Sequence, residues 1–231
     1  MTRKSKLGLS AVDTVPVHEK IYRELVHALM SGMLAPGQKL TSRKLAAELG
    51  TSDMPVRSAL SRLHSLRALD AMPNGSMQVP QMTAEKLRQL MDARALLEGA
   101  ATEAACNRIN GNNLRSLRKS CAELTEAAKL GDIDLYLQRN YEFKFSIYRH
   151  SDNDQMVFMI ETLWMQVGPF LRSYAAVFEG DLSGILEIDY HQDILTALEE
   201  KDGVRAREAM VRDIQEGSEY LRAHARFDEP A

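Results

Sequence analysis

Two cysteines, Cys106 and Cys121, are all that this 231-residue chain has for cross-linking, so a disulfide framework is excluded. Within a helical pattern the two thiols read as small buried apolar residues. No apolar run follows the basic start MTRKSKLGLS, and no window approaches the roughly 20 apolar residues of a membrane span. A cytoplasmic protein with no membrane partner is the expectation. Equally absent are a Gly-rich phosphate loop, a nucleophile elbow and a His-Glu-x-x-His pair. An enzyme working through His191 and Asp213 is therefore not expected.

The net charge of −3 conceals an asymmetry. Residues 1–80 carry 11 Lys and Arg against 6 Asp and Glu, which leaves 18 against 26 for the remainder. A basic head on an acidic body suits a duplex-binding domain joined to a sensing one. With 45% apolar and 26% charged residues, the chain can fill one large or two modest cores without an external staple.

The stretch over residues 40–79 organises the rest. Thr41 or Ser42 can cap a helix that keeps Leu45, Ala46 and Leu49 on one face, and Gly50 ends it. Ser52 or Asp53 caps a second helix with Pro55 in its first turn, where a missing N–H costs little. That helix buries Val56, Ala59, Leu60, Leu63 and Leu66 and turns Arg57, Ser58, Ser61 and Arg62 outward. Asn74-Gly75 can take the positive φ angles of a two-residue hairpin joining strands at 69–72 and 76–79. A helix over 17–31, with Ile21, Leu25, Ala28 and Leu29 inward, precedes the motif. The pattern is a winged helix-turn-helix whose second helix is shaped for a DNA major groove.

Gly32-Met33-Leu34-Ala35-Pro36-Gly37-Gln38-Lys39-Leu40 followed by LAAELGTSDMPVRSALSRL and a short wing resembles the head of the GntR family of bacterial transcription regulators. The resemblance implies that Ser52, Arg43 and Arg57 contact operator DNA. Lys44, beside Arg43, is a further candidate, and Asn74 and Gly75 at the wing tip match a segment that reaches the minor groove. Where many members read Ser-Arg-Thr-Pro, this chain reads Ser52-Asp53-Met54-Pro55. Asp53 cannot grip guanine as an arginine fork does, and Met54 offers an apolar surface suited to a thymine methyl. The expected operator therefore differs from the family's usual one at the matching base pairs. A sensor or interaction module with weakened DNA binding is the alternative.

After Thr83, the cap of a helix running to about residue 109, no strand pattern recurs. Segments 112–130, 133–149, 155–178, 183–200 and 203–225 all read as helices, with Gly168-Pro169 kinking or splitting the third of them. The expected fold is mainly α, a winged helix-turn-helix followed by an antiparallel bundle of six to seven helices. Its divisions are a flexible arm over 1–15, a head over 16–80, a body over 81–226 and a tail over 227–231.

The segments LMDARALLEGAATEAA, GDIDLYLQRNYEFKFSIYRHSDN and YHQDILTALEEKDGVRAREAM resemble the FCD effector domain of the FadR branch of that family. The resemblance implies a homodimer holding a small acid in a central cavity, in many members beside a metal bound by an Asp and three His. Here those four positions are Asn140, Lys144, His191 and Asp213. Lysine has no lone pair for a cation, so no metal or other cofactor is expected; Asn140, His191 and Asp213 alone could hold one only weakly. Two substitutes suggest themselves. Lys144 and Asp213 form a buried ion pair completed by Asn140 and His191, or Lys144 becomes the counter-charge of an anionic effector. Arg94, with Glu98 one turn on, is either a second anion binder or a structural bridge to that glutamate. Trp164, Tyr141, Phe145 and Arg172 are candidate cavity walls, with core packing the better reading of the aromatic ones. Tyr190 and Arg212 are further candidates. The whole reads as a ligand-responsive DNA-binding regulator whose partners are double-stranded operator DNA and a small organic acid.

Overall fold

The computed structural model describes residues 15–228. Most of the expected N-terminal arm, and residues 229–231 of the tail, lie outside that range. Helix α1 (Val17–Met30) buries Ile21, Leu25, Leu29 and Met30 and stops before Gly32, whose φ of +69° suits a residue without a side chain. Strand β1 (Lys39–Leu40) leads into α2 (Ser42–Glu48) and α3 (Asp53–Ser65), and the wing is β2 (Asp70–Ala71) and β3 (Met77–Gln78). The strands form one antiparallel sheet in the order β1-β3-β2, with Leu40 and Ala71 both opposite Met77. Helix α3 lies between α1 and α2 and buries Val56, Ala59, Leu60 and Leu63.

Three local expectations for the head are corrected. The wing turn is not a two-residue hairpin: Met72 donates to Ser76 O, and Gly75 donates to Met72 O, enclosing a three-residue loop. Pro73 fixes a negative φ at the first turn position, so Gly75 alone has a positive φ, +79°. Asn74 instead turns its Oδ1 to the Ser76 N–H at 3.0 Å. Thr41 and Ser52 hold the N-cap positions of α2 and α3, but neither side chain makes a capping bond. Leu49 is exposed, because α2 ends before the inward face completes another turn.

The body contains α4 (Ala84–Cys106), α5 (Gly111–Lys129), α6 (Ile133–Tyr148), α7 (Asp154–Leu171), α8 (Ser173–Val177), a 3-10 turn at Leu182–Glu187, α9 (His191–Glu199) and α10 (Gly203–His224). Their starts are fixed by side chains that accept orphan backbone donors: Thr83, Asn110 with Asn113 in a capping box, Asp132, Asn153 and Asp202. The long helices α4 and α10 pack along each other and on α7 and α9, and α5 packs on α6. Cys106 and Cys121 are both buried, and burial pushes the Cys121 thiol up to about 11.

The helix expected over 183–200 is two elements. Between them, Asp189 Oδ1 accepts the His191 N–H at 2.9 Å and Asp213 Oδ1 accepts the Tyr190 N–H at 3.0 Å. Carboxylates satisfy donors that a continuous helix would have satisfied, and His191 starts a new helix facing inward. Downstream of Pro169 the chain breaks at Arg172, separating α7 from α8. The tail returns to the domain joint: Phe227 stacks on Phe170 at 5.1 Å, and Asp228 Oδ2 accepts the Met82 N–H at 3.2 Å. Head and body meet where α1 packs against α7. Among the described residues no helix is long and apolar enough to cross a membrane.

Candidate functional site

Two surfaces carry the residues singled out in the sequence. On the head, Arg43, Lys44, Ser52, Met54, Arg57, Asn74 and Gly75 are all exposed, with Met54 at 78%. Met54 stands on the face of α3 opposite the buried Val56, Ala59, Leu60 and Leu63. Arg57 lies 3.7 Å from Asp53 and Lys44 lies 3.9 Å from Glu48, each one turn along its helix. Arg62 turns away from this surface, donating to Glu19 at 2.9 Å with its guanidinium 3.7 Å above the Tyr22 ring.

In the body, Arg94, Asn140, Lys144, His191 and Asp213 converge on one cavity, although they come from α4, α6, α9 and α10. The cavity measures about 30 Å³, room for a water or two. Lys144 and Asp213, whose side chains are 3% and 9% exposed, are joined in an ion pair. Burial pushes the Asp213 carboxyl up, but Lys144 and then His191 outweigh this and hold it below the usual carboxylate range. His191 Nε2 meets Asn140 Oδ1 at 2.9 Å, and Nδ1 donates to Asp189 Oδ1 at 2.5 Å. Phe143 packs edge-on against the imidazole, with ring centroids 4.9 Å apart.

Arg94 faces the cavity but has an internal partner. Its Nε and Nη2 donate to Glu98 at 2.6 and 3.3 Å, and its guanidinium lies 4.3 Å from the Trp164 ring centre. Glu98 also accepts from Trp164 Nε1 at 2.8 Å and from the Tyr148 hydroxyl. The bridge to Glu98 is thus formed. Trp164, Tyr141, Phe145 and Arg172 are not cavity walls: the aromatic three pack against one another, and Arg172 donates to Gly32 O at 3.0 Å and to Asp134 at 2.6 Å. Tyr190 and Arg212 side chains line a separate outer cleft. Asp189 and Tyr136, whose hydroxyl donates to Asp189 at 3.0 Å, escaped the sequence reading. The spacing Asp189-Tyr190-His191 was the available signal, a carboxylate two residues before the histidine it orients.

Asp189, His191 and Asp213 could together offer donors to a metal, their ligand atoms lying within 4.8 Å of one another. The set nevertheless does not fit a divalent cation. The Lys144 ammonium is already seated on Asp213 and would stand beside the metal as a like charge.

Burial, reinforced by Asp189 and Glu98 respectively, pushes the Tyr136 and Tyr148 phenols well above their ordinary range. A folded-state value raised above the unfolded one, about 10, gives stability that is complete below that pH and lost as pH rises beyond it. Urea unfolding between about pH 8 and about pH 11 should therefore show falling stability, and Tyr136→Phe should flatten the fall.

A helix with one exposed face on the first domain and a polar cavity in the second are the two working parts of an effector-responsive transcription regulator. The chain belongs to the GntR family, of the FadR type: the model described as bacterial regulatory proteins, gntR family, matches residues 17–79, and the FCD domain matches residues 89–216. It is 31% identical over 215 residues to the HTH-type transcriptional regulator McbR of Escherichia coli K12, covering 93% of this chain and 96% of McbR. It is 24% identical over 209 residues to the HTH-type transcriptional repressor RspR of the same organism, covering 90% of each. The solved structure of E. coli McbR superimposes with a TM-score of 0.81 at 30% identity, covering 87% of this chain and 95% of that one. A GntR-type structure from Rhodococcus sp. RHA1 gives 0.71 at 16% identity over 90% of this chain and 99% of that one, a likeness of fold alone.

Proposed function

We propose that this chain is a homodimer that binds a near-palindromic operator duplex and releases or tightens it in response to a small organic acid, without a metal. The observation that carries this is the buried ammonium of Lys144 facing a polar cavity at the centre of a helical body, one domain away from an exposed recognition helix. A lysine kept from water needs an anionic partner, and that partner is the natural point for an effector to act. Asp53 beside Arg57 supports a weakened or altered base preference relative to the family's usual heads, since the carboxylate draws on the arginine and repels phosphate.

Fluorescence anisotropy with the protein's own upstream DNA, repeated across salt concentrations, tests the reading. Affinity should fall steeply with salt, and Arg57→Ala and Arg43→Ala should each lower the slope of log affinity against log salt by about one. An organic acid should shift the curve equally with and without chelator. Absence of any duplex attraction in dilute buffer defeats the regulator reading, and an acid response abolished by chelator defeats its metal-free part.

A second copy is the proposed occupant of the groove between α4 and α10. There Leu96, 70% exposed, lies beside Ala95 and Val211, flanked by Asp92 and Glu208 and by Arg207 and Arg212. A patch with an apolar centre and both charge signs at its edge can meet its own two-fold image. Light scattering should give a dimer mass for the native chain and a monomer mass for Leu96→Glu; an unchanged mass moves the interface elsewhere.

A further inference from the structure

Each charged side chain around the cavity has an internal partner: Lys144 has Asp213, Arg94 has Glu98, and His191 has Asp189. Lys144, Arg94 and His191 are thus each matched to a carboxylate, and the space between is about 30 Å³. An organic anion added intact would find no unpaired cation and would lack room. Both obstacles disappear if the incoming carboxylate takes the place of one already there.

The three internal carboxylates are not equally anchored. Glu98 is held by Arg94, by Trp164 Nε1 at 2.8 Å and by the Tyr148 hydroxyl. Asp189 is held by the His191 ring and backbone nitrogens and by Tyr136. Among the described residues Asp213 has only Lys144 and the Tyr190 N–H, the latter at 3.0 Å, with His191 Nδ1 at 3.7 Å. It is also the carboxylate that sits on Lys144 in the cavity wall, and its Tyr190 bond fixes the α9 start against α10.

We propose that Asp213 is a built-in stand-in for the effector: a small carboxylate binds by replacing it on the Lys144 ammonium. No covalent bond is made or broken, and the charge at Lys144 is conserved because one carboxylate leaves its partner as another arrives. Displacement releases Asp213, and with it the link between α10 and the Tyr190 backbone. The proposal rests on the reading of the body as an organic-acid sensor.

Acetate is the probe. The full chain, its Asp213→Asn variant and the double variant Lys144→Met/Asp213→Asn are titrated by calorimetry and thermal melting with sodium acetate, against sodium chloride at equal ionic strength. Asparagine keeps an acceptor for Tyr190 and removes the competing charge. Half-saturation of D213N by acetate should come at about a tenfold lower concentration than for the native chain, or lower still. The double variant should respond no more to acetate than to chloride. If D213N does not fold, Asp213→Ala, which leaves a carboxylate-sized gap, is titrated in its place. Acetate and chloride acting alike on the single variant, or equal acetate binding by the single and double variants, overturns the exchange. Should the native chain bind an organic acid while neither substitution alters its affinity, the sensor reading survives and the exchange alone fails. Should no organic acid bind any of the proteins, both fail.

Discussion

Lys144→Met should lower the stability of the chain by about 3–5 kcal/mol, the usual cost of leaving one member of a buried ion pair alone. The two partners lie 69 residues apart and join α6 to α10, so the pair closes a long loop across the body. The native carboxyl sits below its ordinary range, so its contribution is present above about pH 3.9 and is lost as pH falls through the lowered value. In K144M the same buried carboxyl loses its main opposing charge, so burial raises it above the unfolded value. Protonation then relieves the variant while it harms the native chain. The gap between the two, from urea unfolding, should therefore shrink from pH 7 to about pH 3. The double variant K144M/D213N, with no ion left in the pair and the Tyr190 acceptor kept, should recover most of the loss. A K144M variant as stable as the native chain at pH 7 would mean that Lys144 is not buried against Asp213.

The convergence of Arg94, Asn140, Lys144, His191 and Asp213 was legible in the sequence only through family positions, since residues this far apart share no local pattern. The head could be read more directly. The spacing of Val56, Ala59, Leu60 and Leu63 fixes which face of α3 is buried, and Arg57 and Met54 follow on the other. What escaped was decided by tertiary partners or by a single residue's geometry. Helical periodicity runs unbroken through Asp189 and Tyr190, and only the Asp213 carboxylate, brought over on α10, shows why the helix stops there. The wing turned on Pro73, which outranked the Asn74-Gly75 signal beside it. The size of the cavity was invisible, because it depends on Lys144 and Asp213 meeting rather than on either residue alone.

Gly168→Ala should loosen the head from the body. A Cβ at Gly168 would stand 2.4 Å from Leu29 O and 3.0 Å from Met30 Cα, so backbone, not a flexible side chain, would have to yield. The close approach is reinforced from both sides: Gly32 lies against Leu137 and Gly168 O, and Arg172 donates to Gly32 O at 3.0 Å. Overpacking of this kind costs about 1–3 kcal/mol, and here the simplest relief is separation of α1 from α7. Amide exchange in α1 should quicken in G168A while α4 and α10 keep their protection. Gly111→Ala serves as the control, because the nearest atom to its added Cβ is the Arg115 Nη1 at 4.0 Å and an exposed helix start gains from alanine. The consequence reaches function through α7 itself, whose last residue, Leu171, lines the cavity with Tyr174 of α8. One helix thus touches the head at Gly168 and the cavity at Leu171, three residues further on. If α7 couples the two sites, G168A should retain operator binding yet lose most of the shift that an organic acid produces in the native chain. An unchanged shift, together with quickened exchange in α1, would place the coupling outside this contact.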